Sequence, residues 1–415
     1  FAPQATFPTG TGPNSVSIGD INGDGKPDLA VANYFSNTTS ILLNTTATGA
    51  ATPTFSPNVD FPTGNGPLSV SIGDINGDGK PDLALPNFGD NTASILLSTT
   101  PKVTAVTATT PDGSYGVGST IAITVTFDAA VNVTGTPRLQ LQTGTTNEFA
   151  TYTSGTGGTA LTFNYVVQPG DTTPDLEYLA TNALTLNGGT IKETVATAFD
   201  AFLTLPALAT ANSLGGSKAI VIDTVAPTIT SVTSTTPNST YTVGQIIPIT
   251  VQFSEPVNIT GIPQLTLATG GAATPVNYTS GTGTNTLTFN YTVAAGNTSP
   301  DLDYLSTAAL ALNSGTIRDT ATNNAVLTLP APSAANSLGA NKAIVIDTLA
   351  PTITTITSTT PNSTYTVGQI IPITVTFSEP VNITGLPQLT LATGGAGTPV
   401  NYTSGTGTNT LTFNY

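Results

Sequence analysis

Residues 219–244 read AIVIDTVAPTITSVTSTTPNSTYTVG, and residues 343–368 read AIVIDTLAPTITTITSTTPNSTYTVG, with a fainter echo from Pro101 to Gly118. Ala-Ile-Val-Ile is a short β-branched run, Asp-Thr-Val/Leu-Ala-Pro is a linker stopped by proline, and Thr-Ile-Thr-x-Val/Ile-Thr alternates with the period of a strand. The stretch is a seam: the last strand of one β unit, a joint, and the first strand of the next. Everything past residue 100 therefore reads as an array of one unit. Aligning 226–291 on 350–415 leaves five differences in 66 positions: Ser231/Thr355, Val232/Ile356, Gln252/Thr376, Ile262/Leu386 and Ala273/Gly397. Core and surface positions repeat alike, which points to a role in which reach or valency counts for more than a unique pocket.

Within a unit the pattern is clearest at Ile247-Pro-Ile249-Thr-Val251-Gln-Phe253 and Leu287-Thr-Phe289-Asn-Tyr291-Thr-Val293, where apolar and polar residues alternate without a slip. One face is core and the other faces water. Pro-Asn-Ser, Gly-Gly-Ala and Ser-Gly-Thr-Gly-Thr punctuate at hairpin spacing. About seven to nine short strands in a module of about 124 residues predict an all-β fold of tandem sandwiches, with modules at 101–225, 226–349 and 350–415. The last stops at a point matching Tyr291, so the chain reads as a fragment. Ala-rich Leu305–Leu312 is the one place where a helical turn is expected to intrude.

Composition narrows the function classes. Of 415 residues 7% are charged, 23 acids against 8 bases, and a net charge of −15 leaves no basic groove for nucleic acid. With no Cys there is neither a disulfide framework nor a thiolate metal site. Abundant Val, Ile, Leu and Thr suit half-buried pleated strands. No run of 18 apolar residues is present, so no membrane span is expected, and no signal peptide opens the chain.

The first hundred residues carry a different repeat, 1–54 and 55–100, whose shared core is G-D-I-N-G-D-G-K-P-D-L. Val16 and Ile18 alternate with Ser15 and Ser17 before it, and Leu29 and Val31 with Ala30 and Ala32 after it, so two strands flank a tight polar loop. Asp20, Asn22, Asp24 and Asp28, and again Asp74, Asn76, Asp78 and Asp82, place oxygens at loop positions 1, 3, 5 and 9. The carbonyl of Lys26 or Lys80 stands at position 7. Hard oxygens on alternate residues can converge on Ca²⁺, and three carboxylates in nine residues repel one another without a cation. The other reading is an Asx-rich turn without metal.

These residues resemble the FG-GAP repeats of integrin-α-like β-propellers, also called VCBS repeats in bacterial surface proteins. The resemblance covers 1–100 and implies that each repeat is one propeller blade, with Ca²⁺ held by Asp20, Asn22, Asp24, the Lys26 carbonyl and Asp28, and by their second-copy equivalents. A closed propeller needs about four to eight blades, and two are present. Past residue 100, FSEPVNITGIPQLTL, IRDTATNN and VIDTVAP look like the bacterial Ig-like modules of large adhesins and cyanobacterial surface proteins. That likeness implies serial extracellular spacer domains that take Ca²⁺ near their joints, which here suggests Asp223, Glu255, Asp301, Asp303, Asp319 and Asp347. The alternative is that Asp223 and Asp347 cap turns before Pro and that Asp301 and Asp303 are solvated. In the first module Ala129 stands where Glu255 stands, the carboxylate having moved to Asp128.

With no His and no Cys, the usual general base and thiol nucleophile are missing, and the carboxylate pairs Asp301/Asp303 and Asp175/Glu177 have nothing in the sequence to set them across a cleft. A non-enzymatic protein is expected. The first functional reading is a calcium-stabilised extracellular or cell-surface stalk or fibre; the alternative is an adhesin whose propeller-like block binds glycan or protein, with the modules as spacer. Expected partners are copies of itself or other surface proteins, and glycans. Assembly by strand pairing between chains is a third reading. Eleven N-x-Ser/Thr sequons, among them Asn132, Asn258, Asn290 and Asn382, would carry N-glycans only in a eukaryotic or archaeal secretory route.

Overall fold

The computed structural model describes residues 3–194, 199–271 and 273–415. The chain is all-β, 47% strand and 2% helix, with curled sheets. It divides into two compact units, Phe1–Pro227 with Arg318–Ala325, and Thr228–Ile317 with Val326–Tyr415.

In the first unit, β1 (Pro13–Gly19), β2 (Asp28–Asn33), β3 (Thr38–Leu42) and β4 (Val59–Pro62) form an antiparallel sheet in that order. β1 and β2 are the strands expected on either side of the acidic loop, with Val16 opposite Val31 and Ile18 opposite Leu29. Sheet and repeat are out of phase, because β4 belongs to the second copy of the sequence. β5 (Ser71–Gly73), β6 (Asp82–Asn87) and β7 (Thr92–Leu96) form a three-stranded sheet. The core between the sheets contains Ala30, Ala32, Ile41, Val70, Leu83 and Leu85, with Phe61 and Phe199 packed against it. Phe199 comes from the stretch past residue 100 and stacks on Phe61 at a ring distance of 6.1 Å.

The rest of that unit is a sheet built around Thr120–Thr134, a 15-residue strand. Its first half pairs with Val103–Ala108 and Gly158–Val166, and its second half with Thr190–Glu193 after a break in register at Thr126/Val131. A small sheet sets Ile220–Asp223 parallel to Gly113–Tyr115 and antiparallel to Thr172–Thr173. Ile121, Ile123, Val125, Leu161 and Phe163 are fully buried between them, which is what period-two alternation on a half-buried strand requires.

The second unit repeats the plan. Ile229–Ser234, Ile246–Thr260, Thr284–Thr292, Thr274–Ser280 and Gln264–Ala268 lie side by side. Ile247, Ile249, Val251, Phe253, Leu287, Phe289 and Tyr291 are at most 2% exposed, the face the alternation predicted. Its small sheet pairs Ser239–Tyr241 with Ile344–Asp347 in parallel. Ile353–Ser358, Pro372–Val381, Thr408–Asn414, Thr398–Ser404 and Gln388–Leu391 form a third, five-stranded sheet.

The helical turns are elsewhere than expected. Leu305–Leu312 contains the short strand Leu310–Ala311, and the turns lie at Leu214–Ser217 and Leu338–Asn341. Each starts at a serine, Ser213 or Ser337, whose hydroxyl accepts the N–H three residues on. A serine at the N-cap satisfies an amide that the first turn leaves without a carbonyl.

Candidate functional site

The acidic loops join β1 to β2 and β5 to β6, and their side chains organise the loop backbone. In the first, Asp20 Oδ1 accepts the N–H groups of Gly23 (2.7 Å) and Asp24 (3.0 Å), and Oδ2 accepts that of Gly25 (2.9 Å). Asn22 Oδ1 accepts Asp24 N–H at 3.1 Å, and Asp24 Oδ1 accepts Lys26 N–H at 2.9 Å. The second loop repeats these bonds from Asp74, Asn76 and Asp78 to Gly77, Asp78, Gly79 and Lys80 within 0.1 Å. Gly25 (φ 80°) and Gly79 (φ 80°) take the left-handed conformation that the bend demands. At Gly23 (φ 76°) a Cβ would lie 1.8 Å from the ring of Phe202, so a side chain from beyond residue 100 packs directly on this loop.

Asp28 and Asp82 have a second task. Both are fully buried. Asp28 Oδ2 accepts the N–H groups of Ile21 and Asn22 and Oδ1 that of Asn44, tying the loop to the end of β3. Asp82 accepts from Ile75 and Ser98 in the same way. Burial raises the Asp28 carboxyl above the usual carboxylate range, against the opposing pull of its three N–H donors, with the Asp24 charge adding to the rise.

The electrostatics of the two loops differ. Around Asp24 the nearest cation is Lys26, 3.7 Å away on an exposed pair. Around Asp78, desolvation is outweighed by the Lys80 N–H, the Asn76 side chain and the charges of Lys80 and Lys102, and its carboxyl lies below the usual range. Lys80 is nearly buried and its ammonium lies 2.8 Å from Asp128. The carboxylate that had seemed displaced from the Glu255 position is thus the partner of a loop lysine. Asp128 also accepts Lys102 N–H at 2.9 Å, the place where Ser254 accepts Thr228 N–H in the next module.

As a cation site each loop offers only oxygen donors, the class Ca²⁺ takes. A carboxylate oxygen has two lone-pair sites, and Asp20 Oδ2 and Asn22 Oδ1 each spend one on an N–H. Among the described residues, in neither loop do three carboxylates bring oxygens within 4.8 Å of one another. The donor set fits the ion in type, and the loop as it stands is closed on its own amides.

The joint residues separate by environment. Asp223 Oδ1 and Asp347 Oδ1 each accept the N–H two residues on, the capped turn before Pro. Asp319, 3% exposed, takes the backbone and side-chain N–H groups of Asn323 at 2.8 Å each, and the Asn323 amide also donates to the Asp223 carbonyl. Glu255 lies on Ile246–Thr260 in the second unit. Asp303 is 7% exposed and accepts Tyr304 and Ser333 N–H, with exposed Asp301 beside it. In the first unit Glu177 likewise accepts the N–H groups of Tyr178, Ala209 and Leu214. Asp175 next to it is raised by desolvation and then by the Glu177 charge. Both carboxylate pairs lie against the short helical turns, where a Cβ on Gly215 would come within 3.2 Å of Asp175 and Glu177, and one on Gly339 within 2.9 Å of Asp303. The sequence reading missed Lys80–Asp128, Phe199 and Phe202. Its only local signal was an Asp at 128 where the other modules have Ser254 and Ser378.

Residues 20–85 match the family model of the FG-GAP-like repeat, so the chain carries that repeat. FG-GAP repeats occur in surface and extracellular proteins. No curated protein matches the chain. Among the described residues no helix is long and apolar enough to cross a membrane.

Proposed function

We propose that this chain is a structural segment of a secreted or cell-surface stalk, that its two FG-GAP loops are calcium sites, and that it is not an enzyme. The repeats past residue 100 act as Ig-like sandwiches that supply length. The observation that carries the calcium reading is the duplicated loop: two copies hold three carboxylates and an Asn side-chain oxygen within nine residues on the same hydrogen-bond scaffold. Asp20, Asn22, Asp24, the Lys26 carbonyl and Asp28 would hold the ion in the first loop, and Asp74, Asn76, Asp78, the Lys80 carbonyl and Asp82 in the second. The ion would supply charge neutralisation, replacing the weak Lys26–Asp24 pair. Lys80 and Lys102 already offset Asp78 in the second loop, so the first binds the ion more tightly.

The stalk reading draws on module near-identity, since a pocket for one ligand gains nothing from being copied with five changes in 66 residues. The engagement of Glu177 and Asp303 with backbone N–H groups supports a structural role for both carboxylate pairs. The test is thermal unfolding of the whole chain with CaCl₂ and with EGTA. Ligand at about 100 times its Kd stabilises by about 2.7 kcal/mol, so a rise of several degrees is expected in one transition, lost in Asp20→Asn/Asp24→Asn and reduced less by Asp74→Asn/Asp78→Asn. Identical melting in both buffers removes calcium from the account.

A further inference from the structure

In each of the first two modules a short strand paired with the long one is followed by a loop of the same construction. In the first module the loop leaves Thr190–Glu193 and is closed by Lys192 against Asp200, which pair through the backbone and as an ion pair of 3.1 Å. In the second it leaves Thr316–Arg318 and is closed by Arg318 against Asn324, whose side-chain oxygen accepts the Arg318 Nε–H at 2.8 Å. A carboxylate at the start of the loop ties down a residue near its end. Glu193 accepts Phe199 N–H at 2.9 Å and Asp319 accepts Asn323 N–H at 2.8 Å, and both acids are at most 4% exposed. The frame is shared, and the residue it presents is an aromatic in one loop and an amide in the other.

Each presented residue lies on the segment that precedes its module in sequence. Phe199 packs against the core between the first two sheets and stacks on Phe61. The second loop, Arg318–Ala325, belongs to the first compact unit. There the Asn323 amide donates to the Asp223 carbonyl at 2.8 Å, with the Val225 carbonyl at 3.4 Å. Its other neighbour is the turn Tyr115-Gly-Val-Gly118. A Cβ on Gly116 would lie 2.5 Å from the Ala321 carbonyl oxygen and 2.9 Å from Asn323 Oδ1, so the loop fits because that position has no side chain. Ala321 is 2% exposed, and Thr322 holds a φ of 72°, which a β-branched residue keeps only where its surroundings fix it. The equivalent turns of the later modules differ. Thr242 and Thr366 stand in the place of Gly116, and their N–H groups donate to the side chains of Gln245 and Gln369 at 2.6 and 2.7 Å.

We infer that this loop is the docking element by which a module selects the segment ahead of it, and that its chemistry fixes the order of modules along the chain. Phe199 takes an apolar seat beside Phe61 on the FG-GAP repeats. Asn323 takes a seat made of the Asp223 and Val225 carbonyls and a turn with glycine at position 116. The recognition is amide to carbonyl on one side and steric on the other, because a turn bearing threonine there thrusts its side chain at the Ala321 carbonyl. Specificity of this kind rests as much on the clash raised against the wrong partner as on the bonds made to the right one. The third module, five residues in 66 from the second, carries Thr366 and could not stand in for the first ahead of this loop. Modules alike in their strands are therefore not interchangeable in position. The docking uses no cation and does not rest on the calcium or stalk reading.

The experiment is limited trypsin digestion of the whole chain, because Lys192 and Arg318 put one cleavage site at the start of each loop. Cleavage there requires local opening, and its rate follows the population of the opened loop. Gly116→Thr and Asn323→Ala each speed cleavage after Arg318 about tenfold and leave cleavage after Lys192 as it is. Phe199→Asn does the reverse. Gly116→Thr acts from the receiving turn and leaves the loop's own bonds to Asp319 intact, whereas Asn323→Ala alters the loop and leaves the turn intact, so the pair separates docking from damage to either part. Rates unchanged in both variants, or raised equally at both sites, overturn the inference. A selective rise with Asn323→Ala and none with Gly116→Thr overturns it too, since the turn then plays no part in the selection.

Discussion

Replacing Asp128 by serine tests how the second acidic loop is anchored. Lys80 and Asp128 have side chains 7% and 26% exposed and meet at 2.8 Å. Ser254 and Ser378 stand in the same place in the later modules, and their hydroxyls accept the N–H groups of Thr228 and Thr352 at 3.0 Å each. Asp128→Ser therefore keeps the bond to Lys102 N–H and removes only the charge. Stripping a buried ion pair of one partner costs about 3–5 kcal/mol, because the other charge is left in low dielectric. Water reaches a quarter of Asp128, which brings the expected loss to about 1.5–3 kcal/mol. Lys80→Met in the serine background removes the stranded ammonium and restores stability to within about 1 kcal/mol. Urea unfolding followed by near-UV circular dichroism of the tyrosines reads the cycle. A serine variant within about 0.5 kcal/mol of the parent, or no rescue by Met, refutes the reasoning.

Three further outcomes are expected. Asp28→Ala strands three N–H groups and Asp82→Ala two; the first costs about 1 kcal/mol more, and hydrogen exchange at the Asn44 amide rises sharply. Equal losses with Asn44 still protected contradict this. Asp175 has a folded-state pKa raised by desolvation and by Glu177, so its contribution to stability is full below the ordinary carboxylate value and is lost as pH rises through the raised one. Glu177→Gln brings the Asp175 carboxyl down in an NMR titration, and an unmoved midpoint rules out the charge coupling. Asp171 accepts from the Tyr165 hydroxyl and Gln168 N–H, and Asn297 accepts from Tyr291 and Ala294 in the same geometry. Asp171→Asn therefore costs less than about 1 kcal/mol, and a larger calorimetric loss shows that the carboxylate charge itself is required.

What depended on neighbours in the chain was legible. Alternation at Ile247–Phe253 placed a strand and its buried face, because a pleated backbone sends successive side chains to opposite sides. The acidic loop was legible for the same reason, its donors and acceptors lying two to five residues apart. The turns before proline at Asp223 and Asp347 are local in the same sense, each carboxylate accepting the N–H two residues on. Leu305–Leu312 misled because alanine favours helix only where packing does not decide, and there Leu310 is 4% exposed on a two-residue strand.

By itself, then, the sequence determined an all-β chain of two repeat types, the positions of its long strands, and two hairpin loops rich in oxygen ligands. Only the tertiary structure decided that Ala30 and Ala32 are buried while Val16 and Ile18 face outward, that β4 crosses from one repeat to the other's sheet, and that Lys80, Phe199 and Phe202 join the loops to the domain beyond residue 100. The physical reason is range. Periodicity and turn chemistry act between residues a few positions apart, whereas which face of a strand is dry and which charge is paired depend on segments that meet only after the chain has folded.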